Sequence, residues 1–314
     1  MEISTTSPDT ALPGLCALQQ TAQYGRALRH LGATTSRNVL RDGHTLIGHV
    51  QTLRRRFGPL KVTWAPRGPV WTTDAAPAQR AKAIRLLTQA MQDRCFWVFA
   101  PDRAQDLQGL PHQVLVTPQH VAEIDLTLDP ETRLSAQHGK WRNRLRHAEK
   151  SDLRVIRQPF DPARDSVVMR LETSQRESRR YQALPLAFLT AWHDANPKAA
   201  RLFTVVQGTT PMAYMLVLLH APAATYHIGW TGVEGRRNSA HNLALWAAQD
   251  WLARQGFRRF DLGSVDTQHA PGLARFKIGS GAQVRALGPT CLHLPRFAFA
   301  GRRRHVAAGN RLTG

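Results

Sequence analysis

Residues that could carry acid–base or charge-stabilising chemistry are concentrated between positions 226 and 277. Tyr226 and His227 are neighbours on a predicted strand, so their side chains should point to opposite faces of a sheet. One of the two would face a cleft as a hydrogen-bond donor or base, and the other would lie in the core. Asp261 ends a second predicted strand beside Gly263, where capping of a turn is favoured over a role as a base. Neither Gly-x-Ser-x-Gly nor His-x-x-x-His occurs, which disfavours hydrolases and metalloenzymes.

A basic segment precedes the longest predicted helix of this region, and it consists of Arg236, Arg237, Asn238 and Ser239. The first N–H groups of a helix and the positive end of its dipole attract anions, so this segment is a candidate cofactor-binding site for a phosphate group. Asn238 or Ser239 is also suited to cap the helix. The alternative is an ordinary capped helix whose basic side chains lie in solvent.

A second group of cations, Arg142, Arg146 and Lys150, recurs every four residues along a predicted helix over 130–150. This spacing places them on one helical face. Cations stacked without carboxylates disfavour their own helix, which favours an external phosphate-bearing partner such as UDP, a lipid pyrophosphate or tRNA. A solvated basic face is the alternative.

A strand–helix–strand unit must position these groups. A strand is predicted over 225–231, and Gly256 ends the helix that follows. The helix has an apolar side at three-to-four spacing, formed by Ala240, Leu243, Ala244, Ala247 and Trp251. A second strand is predicted over 257–262. Such a unit normally makes its two strands parallel through a right-handed crossover.

Composition indicates a folded protein with anionic partners. The 314 residues are 42% hydrophobic, and 42 Lys and Arg against 22 Asp and Glu give a formal charge of +20. Such a balance favours nucleic acid, an anionic lipid surface or phosphate-bearing substrates. The three cysteines are isolated, so neither a disulfide scaffold nor a metal site is expected, and a reducing cytoplasm fits.

The termini and the apolar runs predict a cytoplasmic, soluble protein. Residues 1–14 are rich in Ser, Thr and Pro and are expected to form a flexible arm. The longest apolar run, 212–219, is strand-sized and too short to cross a bilayer. The basic tail, 293–314, suits peripheral contact with the inner face of a membrane or with RNA, and a solvated tail is the alternative.

Three motifs, in order along the chain, resemble signatures of the FemABX family of aminoacyl transferases. The strongest is the pair QGFRRFDLGSV and PGLARFKIGSG, in which Ser264 replaces a glycine that is usual in the family. Upstream, KWRNRLRHAEKSDLRV is similar to the element that opens the family's second domain. A weaker match is WAPRGPVW, which resembles a P-R-G-P element of the first domain.

The resemblance implies an α/β (α+β) fold of the GNAT superfamily, with two tandem GNAT-like domains around mixed central sheets. The element order agrees with this, since a helix over 15–31, a hairpin, a strand, a helix and a strand precede a second unit of helices, β-meander, helix and strand. We therefore expect an N-terminal domain over 15–125 and a C-terminal catalytic domain over 126–292.

The resemblance also implies a reaction, in which an amine attacks an activated acyl carbonyl. Lys277 matches the family's functional lysine, which is implicated in stabilising charge during acyl transfer, and Tyr226 is the second catalytic candidate. Phe276 and His227 are candidates for substrate binding. The donor implied is aminoacyl-tRNA and the acceptor is an amine of a phosphate-bearing peptidoglycan or other cell-envelope precursor, with no tightly bound cofactor.

Two alternatives remain open. Residues 236–241 match in part the GNAT loop R/Q-x-x-G-x-G/A that holds the pyrophosphate of acyl-CoA, which keeps a CoA-dependent small-molecule N-acetyltransferase in play. A non-catalytic basic module that binds RNA or anionic lipid is the other alternative.

Overall fold

Two mixed β-sheets with helices against them form the part of the chain that the computed structural model describes, namely residues 1–92, 95–108, 110, 112–179 and 184–294. In chain order the strands are β1 (Glu2–Thr6), β2 (Thr34–Asp42), β3 (Thr45–Phe57), β4 (Leu60–Pro66), β5 (Val70–Trp71), β6 (Phe96–Ala100), β7 (Gln113–Val116), β8 (His120–Asp125), β9 (Arg154–Pro159), β10 (Ala200–Gln207), β11 (Thr210–His220), β12 (Ala223–Thr231), β13 (Arg259–Ser264), β14 (Gln283–Ala286) and β15 (Thr290–His293). The α-helices are α1 (Ala22–His30), α2 (Pro77–Gln92), α3 (Pro130–Ser135), α4 (Gly139–Lys150), α5 (Ser166–Arg179), α6 (Leu186–Ala195), α7 (Val233–Arg237), α8 (Ala240–Arg254) and α9 (Pro271–Gly279).

Each sheet contains one parallel pair among antiparallel neighbours. Sheet A has the order β1-β2-β3-β4-β6-β15-β7, with β5 paired to β3, and sheet B has the order β14-β8-β13-β12-β11-β10-β9. The parallel pairs are β4 with β6 and β12 with β13. In both cases a helix joins the paired strands, α2 in sheet A and α8 in sheet B, as the crossover connection requires. The predicted mixed sheets and the predicted strand–helix–strand unit are confirmed.

Helices cover both faces of sheet B. On one face α4 and α8 bury their apolar sides, with Trp141, Leu145, Leu245 and Leu252 among the contributing residues. On the other face α6 and α1 meet, and the shared core contains Tyr24, Leu28, Leu53, Phe188 and Trp192. Because α1 and β3 belong to the N-terminal half, this second core joins the two halves of the chain.

Strand pairings cross the predicted domain limits. In place of a flexible arm, Glu2–Thr6 forms β1 and pairs antiparallel with β2. Strand β8 pairs with β13 and β14, so sheet B begins at His120, before the predicted limit at 125. Strand β15 pairs with β6 and β7, so the chain returns to sheet A at Thr290. From residue 295 onward, the predicted basic tail lies outside the described residues.

Two predicted helices also differ from those observed. The helix expected over 15–31 begins at Ala22, because the side chain of Thr21 accepts the Tyr24 N–H and caps it there. The helix expected over 130–150 is two helices, α3 and α4, interrupted at 136–138. Within the described ranges, no helix has both the length and the apolar character that crossing a membrane requires.

Candidate functional site

Strands β12 and β13 are paired only over their first three residues and then diverge toward their carboxyl ends. Their parallel ladder pairs Ala223–Thr225 with Arg259–Asp261, and in the described structure it stops there although both strands continue. The register of β12 against β11 also shifts, so that His227 is an extra residue between the paired Tyr226 and Ile228. Backbone groups on the diverging strands are therefore free of this ladder and can bind an extended ligand. In α/β sheets, ligands bind at the carboxyl ends of parallel strands.

Lys277 lies beside the end of β13. Its side chain projects from α9, the residue is 5% exposed, and Nζ donates to the Ser264 carbonyl at 2.7 Å. Burial lowers the pKa of Lys277 to about 8, against the charge of Asp261, which raises it. A lysine of this kind is still largely cationic at neutral pH, and it can donate a hydrogen bond to oxygen in a site shielded from water.

Asp261 is committed to structural partners. Its Oδ1 accepts the Gly263 N–H at 2.7 Å, and its Oδ2 accepts from Arg67 Nη1. Burial would raise the pKa of Asp261, but Arg67 and the Gly263 N–H hold it below its usual value. Asp261 therefore caps the turn at Gly263, as predicted.

Arg67, from the P-R-G-P motif, joins the two sheets through carboxylates. Besides Asp261, it pairs with Asp102 at 2.8 Å and with Glu123 at 3.2 Å. Arg285 pairs with the same Asp102 and Glu123, each at 2.8 Å. Burial acts to lower the pKa of Arg67, but Asp261 and Asp102 raise it above the ordinary arginine value. The motifs P-R-G-P and F-D-L-G thus form one buried ion cluster.

The backbone of the P-R-G-P turn is fixed by its neighbours. Arg67 has φ +51°, in the left-handed region that costs a non-glycine residue free energy. A Cβ on Gly68 would lie 2.6 Å from the Gln20 amide, and Gln20 Nε2 donates to the Pro66 carbonyl at 2.7 Å. These contacts hold the guanidinium of Arg67 in the ion cluster.

A row of rings leads from β12 to α9. Tyr226 Oη lies 3.1 Å from His241 Nε2, and the ring of His241 lies 5.1 Å from that of Phe276. The Phe276 ring lies 6.0 Å from that of Trp141. Burial lowers the pKa of His241 to about 4, so this imidazole is neutral at physiological pH. A neutral imidazole bonded to a phenol can relay a proton.

His227 lies on the other side of β12. Its ring is 6.1 Å from that of Phe188 on α6, and burial lowers its pKa to about 4. The prediction that Tyr226 and His227 face opposite sides of the sheet is confirmed. Tyr226 is the one that lies with Phe276, while His227 packs in the core shared with α6.

The predicted basic loop before α8 is in fact the short helix α7 followed by a turn. Arg236 Nη1 donates to the Thr231 carbonyl at 2.7 Å, and Arg237 pairs with Glu234 at 2.6 Å. Asn238 Nδ2 donates to the Glu234 carbonyl at 3.2 Å, and no side chain caps α8. The capping prediction for Asn238 and Ser239 is wrong, because their side chains do not reach the first N–H groups of α8.

Ser239 has φ +55° in the turn between α7 and α8. Replacing it with glycine should therefore stabilise the protein by about 0.5–1 kcal/mol, since glycine adopts the left-handed region without steric cost. Thermal unfolding measures this. The matched control is Ser174→Gly, at an exposed position in the interior of α5, which should destabilise by about the same amount, as glycine does in a helix. A lower melting temperature for Ser239→Gly would contradict the strain argument.

The predicted cationic stripe is present on α4, but its members are not equivalent. Arg142 Nη1 donates to the carbonyls of Leu134 and Ser135, where it satisfies the end of α3. Arg146 and Lys150 are exposed on the same flank of the helix. Arg142 is therefore engaged with the end of α3, whereas Arg146 and Lys150 face solvent.

Known proteins share this architecture. Residues 135–277 match the sequence family described as acetyltransferase (GNAT) domain. The crystal structure of FemX superposes with a TM-score of 0.75 at 14% identity, covering 94% of this chain and 97% of that one. The chain has a FemABX-like GNAT fold. No curated protein matches its sequence.

Two further solved structures superpose on this chain with lower TM-scores than FemX. The C-terminal domain of a putative lysylphosphatidylglycerol synthetase from Agrobacterium fabrum has a TM-score of 0.52 at 11% identity, with 87% of this chain and 88% of that one covered. A conserved protein of unknown function from Bacteroides thetaiotaomicron has a TM-score of 0.54 at 11% identity, with 88% and 93% covered. At these identities the likeness shows the fold alone.

Several residues that support the site around Lys277 were not predicted from the sequence. His241 was seen only as part of a loop pattern, and no role was predicted for the ion cluster of Arg67, Asp102, Glu123 and Arg285. The available signal was that Arg67 and Asp261 both lie in motifs that resemble family signatures. Opposite charges in two such motifs suggest a pair, although their separation along the chain gives no distance.

Proposed function

We propose that the protein is an acyltransferase that moves an aminoacyl or acyl group onto an amine, with its reaction centre at the diverging ends of β12 and β13. The observation that carries the proposal is Lys277, buried beside Ser264 with its pKa lowered to about 8. Structural lysines seldom lie buried without a carboxylate bonded to Nζ. Here Asp261 is occupied by Arg67, and Nζ donates to a backbone carbonyl instead.

The proposed reaction uses charge stabilisation and a proton route, without a covalent enzyme intermediate. The neutral amine attacks the acyl carbonyl carbon, and negative charge develops on the carbonyl oxygen. The Lys277 ammonium donates a hydrogen bond to that oxygen. When the tetrahedral intermediate collapses, the ester C–O or thioester C–S bond breaks. The proton lost by the amine reaches the leaving group through Tyr226 and His241, which are hydrogen-bonded at 3.1 Å.

Aminoacyl-tRNA is the proposed donor, and an amine of a peptidoglycan or other cell-envelope precursor is the proposed acceptor. The resemblance of the motifs to FemABX signatures supports both choices. A formal charge of +20 supports a nucleic-acid donor, because phosphate contacts from Arg and Lys dominate such affinity. Exposed Arg146 and Lys150 are proposed to contact the phosphates of one of these substrates.

Acyl-CoA is the second candidate donor. It is favoured by the start of α8, where helical N–H groups and the neighbouring Arg236 and Arg237 form a region suited to pyrophosphate. Both arginines bind local partners on α7, so they would have to exchange these for the ligand. With acyl-CoA as the donor, the protein would be a CoA-dependent N-acetyltransferase that acts on a small amine.

A binding titration decides between the donors. The purified protein is titrated with acetyl-CoA and with a charged tRNA pool, each at two salt concentrations. Tight tRNA binding that weakens steeply with salt and needs the aminoacyl group supports the aminoacyl transferase. Saturable CoA binding with little salt dependence, lost in an Arg236→Ala/Arg237→Ala double variant, supports the N-acetyltransferase. Binding of neither contradicts both.

The rate of transfer should rise with pH and level off above about pH 8. The pKa of Lys277 is lowered to about 8, so the cation that stabilises the oxyanion is lost as pH rises through that value. Below pH 8 the rate rises because the attacking amine must be neutral, and above it the loss of the Lys277 cation cancels the continuing gain in neutral acceptor amine, whose ordinary pKa is about 10.4. The measurement is kcat/KM from pH 6 to 10. A rate that still rises at pH 9.5 would contradict a cationic role for Lys277.

A further inference from the structure

Gly229 is a glycine in the interior of a strand, where this residue is normally unfavourable because it has no side chain to pack. It lies in β12 and pairs with Met215 of β11, and its φ is not in the left-handed region. An L-residue with a side chain could adopt this backbone without strain. The reason for a glycine at this position must therefore lie in the space around it.

The space beside Gly229 is occupied by Tyr226. A Cβ on Gly229 would overlap Tyr226 Oη, and it would lie 2.7 Å from Tyr226 Cζ and 2.9 Å from His241 Cε1. Cβ atoms in folded proteins essentially never approach other atoms this closely. The tip of the Tyr226 ring thus takes the position of a side chain at 229, and from there its Oη lies 3.1 Å from His241 Nε2.

The bulge in β12 brings Tyr226 and Gly229 to the same face of the sheet. Residues three apart in a regular strand point to opposite faces. Tyr226 pairs with Val217 of β11, and His227 is the extra residue that follows it. Gly229 pairs with Met215, two residues before Val217 on β11, so Tyr226 and Gly229 share a face. The Tyr226 ring can therefore lie along its own strand, next to the Cα of Gly229.

The backbone at Gly229 is held in place by two elements. It pairs with β11, and Gln175 Nε2 on α5 donates to the Gly229 carbonyl at 3.0 Å. A tyrosine ring, by contrast, moves by rotation about its side-chain bonds, which costs less than shifting a paired strand. A side chain at 229 would therefore displace the Tyr226 hydroxyl from His241 and leave the strand where it is.

We propose that Gly229 is a positioning residue for the transfer, because its lack of a side chain allows the Tyr226 hydroxyl to reach His241. The inference rests on the proposed acyl transfer, in which Tyr226 and His241 carry the proton from the amine to the leaving group. Gly229 itself need not touch a substrate. Thr225 is the last residue of β12 that pairs with β13, so Gly229 fixes the phenol of the next residue where the two strands begin to diverge.

Transfer rates of single and double variants test the positioning role. Once the phenol is displaced, the proton must leave through water, so Gly229→Ala and Tyr226→Phe should each lower kcat by at least about 100-fold, as the loss of acid–base catalysis does. The KM for the donor should change by less than about threefold, because neither change removes a donor contact. Since both changes interrupt the same step, the double variant should transfer within about twofold of Tyr226→Phe. A double variant in which the two losses multiply would overturn the inference.

Gly139→Ala is the matched control, since Gly139 is exposed at the start of α4 and a Cβ there meets no atom within 4 Å. It should transfer within about twofold of the wild type. Wild-type transfer by Gly229→Ala, with Tyr226→Phe slow, would overturn the positioning role and leave the proposed transfer standing. Wild-type transfer by Tyr226→Phe would instead remove the proposed proton route, and the positioning role with it.

Melting temperatures test the same contact without a donor. Gly229→Ala should lower the melting temperature by more in the wild type than in a Tyr226→Ala background, where the ring that the new Cβ would overlap is missing. If Gly229→Ala alone does not fold, the double variant should still fold. An equal loss in both backgrounds, or failure of both proteins to fold, would overturn the inference. So would a crystal structure of Gly229→Ala in which Tyr226 Oη stays within hydrogen-bond distance of His241 Nε2.

Discussion

Replacing Lys277 with methionine should lower the rate of acyl transfer by at least about 100-fold while donor binding changes little. Removal of one hydrogen-bond donor to a developing oxyanion typically costs a factor of about 10²–10³. Methionine keeps the length of the buried stem, so α9 and the Phe276 ring should stay in place. The measurements are single-turnover transfer and equilibrium donor binding on the same preparation.

The same substitution should not destabilise the protein at pH 7. The folded-state pKa of Lys277 is lowered from 10.5 to about 8, so the folded protein binds fewer protons than the unfolded chain between these values. The contribution of Lys277 to the free energy of unfolding therefore rises as pH increases from 8 to 10.5. At pH 7 the buried cation lowers the free energy of unfolding by about 3 kcal/mol. Methionine removes this cost, but it also removes the hydrogen bond to the Ser264 carbonyl, which offsets about 1 kcal/mol of the stabilisation.

Lys140→Met is the matched control, because Lys140 lies exposed on α4 and should affect neither rate nor stability. A Lys277→Met protein that transfers at the wild-type rate would contradict a catalytic role for Lys277. A Lys277→Met protein that is less stable at pH 7 would contradict the cost assigned to the buried cation.

Replacing Arg67 with methionine should destabilise the protein by about 3–5 kcal/mol, the usual cost of removing one partner from a buried ion pair. Arg67 contacts three carboxylates, and Arg285 compensates only Asp102 and Glu123. Asp261, which is 2% exposed, would lose its main counter-charge. Denaturant unfolding measures the change.

The double variant Arg67→Met/Asp261→Asn tests the cause. Because the uncompensated charge is removed, it should recover much of the lost stability, with a coupling energy of at least about 1 kcal/mol. Arg254→Met is the control, since Arg254 is 75% exposed and has one carboxylate partner, Asp250, at 2.8 Å, and it should cost less than about 1 kcal/mol. Additive effects of Arg67→Met and Asp261→Asn would contradict a direct pair.

Much of the fold follows from local sequence patterns. The crossover unit β12–α8–β13 was predictable because turn residues, helical periodicity and Gly256 all lie within about 40 residues. The return of β15 to sheet A was not predictable from sequence, because its partners β6 and β7 lie more than 170 residues earlier in the chain and a strand of four residues carries no register signal.

The site residues that lie in motifs were predictable from sequence, but the contacts between residues far apart along the chain were not. Lys277 and Asp261 were found from motifs, and the opposite facing of Tyr226 and His227 follows from the two-residue period of a strand. The packing of α6 and α8 determines which of these two side chains lies next to Phe276, and this packing could not be predicted from the sequence. The cluster of Arg67 with Asp261 joins positions 194 residues apart.

The most direct test of the account is transfer itself, with purified protein, a UDP-linked peptidoglycan-precursor peptide that carries a free lysine amine, and either a charged tRNA pool or acetyl-CoA. The mass of the acceptor is read after a single turnover. The account predicts that the acceptor gains an aminoacyl or acetyl mass with one of the two donors. An unchanged acceptor with both, from a protein that binds one of those donors, would contradict it.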